Sequence, residues 1–169
     1  MKNLILIGMP GCGKSTVGAE LSRKYALPFI DGDRVIENEM GMKLSQILDL
    51  HGQEGFRAIE SRILCSISPR SAVIAPGGSC IYGPEAMYHF RRIGHVIYLQ
   101  ASYETIASRL GDLHARGITF QPGQSLRDLY EERIPLYRKY ADLIIYTDGK
   151  TLFEVVRSIQ SLLSKRGKR

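Results

Sequence analysis

The sequence predicts an α/β domain built on a parallel sheet, and three observations carry that expectation. Short apolar runs alternate with stretches of helical periodicity from one end of the chain to the other. The first apolar run, Leu4 to Ile7, leads straight into a glycine-rich turn and then a helical pattern. No internal repeat, low-complexity segment or inter-domain linker interrupts the alternation, so the 169 residues read as one domain, 1–169.

Taken in order, strands are expected at Asn3–Ile7, Pro28–Asp31, Ala72–Ala75, His95–Leu99 and Leu143–Tyr146. Helices are expected at Ser15–Tyr25, Gly52–Ile67, Pro84–Arg92, Tyr103–Leu110, Ser125–Lys139 and Leu152–Leu163. Pro84 suits the first turn of its helix, and Ser125 is placed to cap the helix that follows it. The stretch 111–124 holds Gly111, Gly117, Pro122 and Gly123 and no periodic pattern. In a compact domain a loop of that length is usually functional, and at this point in the chain it reads as a lid.

Composition narrows the class. With 44% hydrophobic and 24% charged residues the chain is ordinary for a globular domain. No apolar run is long enough for a membrane span, and the few apolar residues after Lys2 are too short for a signal peptide. Cys12, Cys65 and Cys80 form no C-x-x-C pair, which fits reduced thiols in a cytoplasmic protein. The net charge of +6 owes much to Lys165, Arg166, Lys168 and Arg169; without them the body carries +2. No basic stretch is interleaved with aromatics, so neither nucleic acid nor membrane is an expected partner.

Residues Gly8 to Ser15 read G-x-x-x-x-G-K-S, directly after the first strand. In that context the pattern is a phosphate-binding loop. Glycines let successive N–H groups converge on one point, and the following helix adds its positive end. The expected nucleotide contacts are Gly11, Cys12, Gly13, Lys14, Ser15 and Thr16, with Lys14 on the terminal phosphates and the Ser15 hydroxyl on Mg2+. Cys12, inside this loop, is expected to be sensitive to alkylation or oxidation.

Further charged residues fall where the carboxyl ends of the strands gather, the edge at which open α/β sheets bind ligands. Asp31 and Asp33 close the second strand; one can hold Mg2+ through water while the other faces a substrate hydroxyl. A helix cap accounts for Asp31 equally well. Arg57 and Glu60 stand three apart on one helix face. By themselves they read as a surface ion pair; with a ligand, Glu60 could hold Arg57 as a fork for a carboxylate. Pro76-Gly77-Gly78-Ser79 either lets a ligand approach the backbone or is a plain turn.

In combination these segments resemble the shikimate kinase family. The counterparts of its motifs are Gly8–Ser15, Asp31/Asp33, Gly52–Glu60, Gly77-Gly78-Ser79, Arg116-Gly117-Ile118-Thr119 and Arg133-Ile134-Pro135-Leu136-Tyr137. The resemblance implies a three-layer P-loop kinase fold, like that of nucleoside monophosphate kinases. A five-stranded parallel sheet would be flanked by helices, with a substrate-binding helical region at about 32–66 and a mobile lid at about 111–124. It further implies Mg2+-dependent transfer of the ATP γ-phosphate to the 3-hydroxyl of shikimate by a monomeric enzyme. Asp33, Arg57, Gly77, Gly78 and Arg133 would bind the acceptor, the two arginines at its carboxylate and Asp33 at its hydroxyls. Ser15 and Asp31 would hold Mg2+, Lys14 and Arg116 would neutralise the transferring group, and Arg109 would stack on adenine.

Three places depart from the family's pattern. Ser79 stands for a third glycine, Gly117-Ile118-Thr119 replaces Pro-Leu-Leu after the lid arginine, and Lys150 and Leu152 replace an arginine and a proline on the adenine side. The alternatives are a kinase of the same fold acting on another hydroxylated carboxylic acid or hydroxy amino acid, and a non-catalytic nucleotide-binding regulatory module. Asp33 speaks against the latter, because binding alone needs no hydroxyl-orienting carboxylate.

Overall fold

The computed structural model describes residues 2–110, 118 and 120–166, with the Arg166 side chain excepted. Five parallel strands, β1 (Asn3–Ile7), β2 (Phe29–Asp31), β3 (Val73–Ala75), β4 (Gly94–Gln100) and β5 (Leu143–Tyr146), form one sheet in the order β2-β3-β1-β4-β5. β1 pairs with β3 on one side (Leu4 opposite Val73) and with β4 on the other (Leu6 opposite Ile97). All five residues of β1 are buried, as a central strand covered on both faces requires. Because chain order reverses at β1, the turn that follows it opens into a crevice at the carboxyl ends of the strands.

Helices α1 (Lys14–Tyr25), α2 (Gly32–Met40), α3 (Leu44–Ser66), α4 (Pro84–Ile93), α5 (Tyr103–Arg109), α6 (Leu126–Tyr140) and α7 (Leu152–Arg166) surround the sheet. Pro84 occupies the first turn of α4, and Ser125 caps α6 through a reciprocal pair with Asp128, both as expected. Among the described residues no helix is long and apolar enough to cross a membrane.

The region after β2 differs from the sequence expectation. Asp31 accepts a hydrogen bond from the Asp33 N–H at 3.0 Å and so caps α2, a helix the periodicity did not disclose. α3 begins at Leu44, ahead of the expected Gly52, and Gly52 (φ 66°) is a break inside it. These two helices carry a small core of their own, formed by Ile36, Leu44, Ile47, Phe56 and Ile63, separate from the main core on the sheet. Of the expected lid, Ile118 and residues 120–124 are described; Arg116 lies outside the described residues.

Candidate active site

A cavity of about 550 Å³ opens at the carboxyl edge of the sheet. Its wall takes in Pro10 to Thr16 of the loop after β1, Asp33 at the start of α2, Gly77 to Ser79 after β3, and Arg133 of α6. Arg109, Ile118, Thr147, Lys150 and Leu152 complete it on the other side. Most residues singled out from sequence therefore converge on one space, although they come from segments far apart in the chain. Arg57 and Asp31 are not part of this wall.

At the loop end, Gly13 (φ 103°) precedes α1 and contributes no side-chain cap, so the first N–H groups of the helix remain open to a ligand. Lys14 Nζ donates to the carbonyls of Gly8 at 2.8 Å and Met9 at 3.0 Å. Ser15 and Thr16 are exposed beside it. Arg109 donates from Nη1 to the Gly11 carbonyl at 3.1 Å, which ties α5 to the loop. Cys12 is buried, at 2% exposure, contrary to the expectation of a reactive thiol: its sulfur packs under Gly8, where an added Cβ would meet it at 2.7 Å. Burial closes the approach that alkylation needs.

The opposite end is more enclosed. Gly77 (φ 73°) leaves room for the Asp33 carboxylate, since a Cβ there would stand 2.6 Å from Asp33 Oδ1. A Cβ on Gly78 would meet Pro10 at 2.8 Å and Arg133 Nη1 at 3.2 Å. These contacts distinguish the segment from a plain turn: its missing side chains make the space in which Asp33 and Arg133 sit. Burial, followed by repulsion from Asp31, pushes the Asp33 carboxyl up to about 6, against the opposing pull of Lys14.

Glu60 does not pair with Arg57, and the pair is not at the surface. Glu60 is buried, and Ser79 Oγ lies 2.7 Å and 2.8 Å from its two carboxylate oxygens. Burial pushes Glu60 up to about 7, although the Ser79 hydrogen bond works the other way. Arg57 instead lies over the Tyr82 ring, 3.7 Å from guanidinium carbon to ring centroid. Arg133 is 5.3 Å from the same centroid. Arg133 is fully buried, yet among the described residues none of its three guanidinium nitrogens makes a well-aligned hydrogen bond, the Tyr82 and Tyr137 hydroxyls lying beside it and favouring its charge; Arg57 Nε is likewise unbonded. Tyr137 donates to the Gly78 carbonyl at 2.6 Å and locks the turn against α6.

Sequence reasoning missed the Ser79–Glu60 contact and the place of Tyr82. Ser79 stands out in the sequence only as a departure from a glycine pattern, and a single tyrosine after a turn carries no local signal. Thr147, at the end of β5, was likewise unmarked.

The donor set suits a hard cation held mostly by phosphate and water. Among the described residues no group of three or more His, Cys, Asp or Glu side chains could enclose a metal. Ser15 offers one hydroxyl at the loop, and Asp31, with one oxygen engaged at the α2 cap, keeps the other available.

The shikimate kinase family model matches residues 10–164. A shikimate kinase of Francisella tularensis subsp. novicida is 37% identical over 166 residues, covering 96% of this chain and 94% of its own. Among solved structures, shikimate kinase from Acinetobacter baumannii in complex with shikimate superposes with a TM-score of 0.88 at 31% identity, covering 98% of this chain and 94% of that one. Shikimate kinase from Aquifex aeolicus gives 0.82 at 32% identity, with 98% and 97% covered. A phosphate loop alone would be shared with many folds, but the match runs from Pro10 of the loop through α2, α3 and α6: the chain belongs to the shikimate kinase family.

Proposed function

We propose that this chain transfers the γ-phosphoryl group of ATP to the 3-hydroxyl of shikimate, giving shikimate 3-phosphate and ADP. One observation carries the choice of acceptor: a buried, unpaired guanidinium, Arg133, in the wall of a cavity whose other end is a phosphate loop. A buried cation with free donors is costly unless an anion meets it, and a planar carboxylate matches the guanidinium fork. Gly77 and Gly78, both in the cavity wall, leave room for Asp33 and Arg133 to stand beside the acceptor.

In this reading Asp33 takes the proton from the attacking hydroxyl and orients its oxygen towards the γ-phosphorus. A carboxyl titrating near 6 is ionised at neutral pH yet basic enough for that transfer. Lys14 leaves the carbonyls of Gly8 and Met9 to neutralise the phosphoryl oxygens, joined by Arg116 from the lid. The open N–H groups at the start of α1 cradle the phosphates. Arg109 packs against the adenine, with Lys150 nearby in the same wall. Ser15 and, through water, Asp31 would hold Mg2+, which when bound offsets charge on the β- and γ-phosphates. Helices α2 and α3 form the acceptor-binding region, 32–66, and the enzyme works as a cytoplasmic monomer.

The test is coupled ADP release with Mg-ATP and shikimate, run beside quinate, gluconate, homoserine and a no-acceptor control. Turnover restricted to shikimate is expected. Turnover with another acceptor alone would retain the kinase and overturn the acceptor. ATP binding with no turnover across the panel would favour a nucleotide-binding regulatory module.

A further inference from the structure

Two cationic groups held close together in a buried site are ordinarily stabilised by a carboxylate between them. Here Glu60 is buried and bonded to Ser79; both arginines attract it through space, but among the described residues neither makes an ion pair with it. What the two arginines share is a neutral surface, the ring of Tyr82, with guanidinium carbons 3.7 Å and 5.3 Å from its centroid. A ring face attracts a cation through its quadrupole without taking up any N–H donor. An acidic partner would do the opposite, neutralising the charge and filling the fork. Tyr82 itself is not in the cavity wall. Its ring is held in place from behind, because its hydroxyl bonds to Glu132 of α6, and Glu132 also accepts from the Gln124 side chain at 2.9 Å.

Resting on the reading of this cavity as the acceptor site, we propose that Tyr82 is a positioning residue. Its ring holds Arg57 and Arg133 as a preorganised cationic pair whose donors stay free for the acceptor carboxylate. The arrangement separates two tasks that an acidic partner would merge: fixing the guanidiniums in place, and keeping them available to a ligand.

The experiment is steady-state kinetics of ADP release for Tyr82→Phe and Tyr82→Leu, with shikimate and ATP varied in turn and thermal unfolding recorded for each. Tyr82→Leu removes the ring face and is expected to raise the KM for shikimate about tenfold, the scale of one desolvated cation–π contact. The KM for ATP and kcat are expected to stay within about threefold. Tyr82→Phe keeps the ring while losing the hydroxyl's contacts with Glu132 and Arg133, so if the ring face does the positioning its shikimate KM is expected within about threefold of wild type. Should Tyr82→Leu fail to fold, Tyr82→Met carries the same expectation. An unmoved shikimate KM in a folded non-aromatic variant overturns the inference. So does a Tyr82→Phe enzyme as impaired as Tyr82→Leu, since the hydroxyl would then be the essential part. If wild type shows no turnover with shikimate, the acceptor reading fails; wild-type turnover with an unmoved variant removes the role of Tyr82 alone.

Discussion

The two ends of the cavity solve the problem of waiting for a ligand in opposite ways. At the loop end the charged groups are already satisfied by the protein's own backbone: Lys14 on Gly8 and Met9, Arg109 on Gly11. At the end proposed for the acceptor, Arg133 is fully buried with no carboxylate paired to it among the described residues, and Asp33 and Glu60 both have raised pKa values. In the proposed function, nucleotide binding exchanges existing backbone hydrogen bonds for new ones, whereas the acceptor carboxylate would meet a guanidinium with no ion pair to give up. An unsatisfied buried group costs stability in the free protein and returns it on binding. The acceptor end should accordingly show a conflict between stability and activity that the loop end lacks.

The sharpest way to break the contrast is Asp33→Asn. Turnover is expected to fall by about 10²–10⁴, the usual range for a lost general base, while ATP binding by calorimetry survives. Near-normal turnover would strip Asp33 of that role. Next, Arg133→Met should raise the shikimate KM by about a hundredfold, as loss of a charged bidentate contact implies. The same change should stabilise the fold by about 1–3 kcal/mol, because an uncompensated buried charge disappears. A lower melting temperature in that variant would mean that the guanidinium is satisfied after all.

The pH dependence sharpens the comparison further. Asp33 and Glu60 have folded pKa values of about 6 and about 7, above the ordinary carboxylate values, so the folded state holds protons that the unfolded chain has released. Their contribution to stability is complete below about pH 4 and is lost as pH rises through 6 and 7. At about 1.36 kcal/mol per pH unit the two shifts correspond to a loss of roughly 6 kcal/mol, about half from each group, and Glu60→Gln should remove its half. Activity should climb over the lower part of that window as Asp33 ionises, so kcat/KM and melting temperature should move in opposite directions. The smallest effect is expected from Arg109→Ala: a rise of about three- to fivefold in the KM for ATP, with the KM for shikimate unmoved.

The same division explains what could be read from the sequence. The loop end is local: strand, turn, lysine and helix start lie within Asn3–Tyr25, so their spacing alone discloses them. The inner strands β1, β3 and β4 are legible for a similar reason, since apolar runs buried on both faces have few other uses, and the half-buried edges β2 and β5 follow from the alternation with helices. α2 was not, because its polar stretch Gly32–Met40 buries only Gly32 and Ile36 and packs on α3 instead of the sheet. At the acceptor end, Asp33, Glu60, Ser79, Tyr82 and Arg133 come from four separate segments. Spacing could place Arg57 and Glu60 on one helix face, and family likeness could assign the arginines. Neither could reveal that Ser79, nineteen residues away, would claim Glu60 and leave the arginines to a tyrosine ring.

The small second core beneath α2 and α3 has a consequence for how such a protein can change over time. Ile36, Leu44, Ile47, Phe56 and Ile63 pack mainly on one another, so residues 36–63 can be remodelled with little change to the interior of the sheet, to which Leu64 belongs. The phosphate loop and its strand need not alter when that segment does. A lineage built this way can trade one hydroxylated acid for another by exchanging that helical cassette, with the phosphate loop and Asp33 left in place.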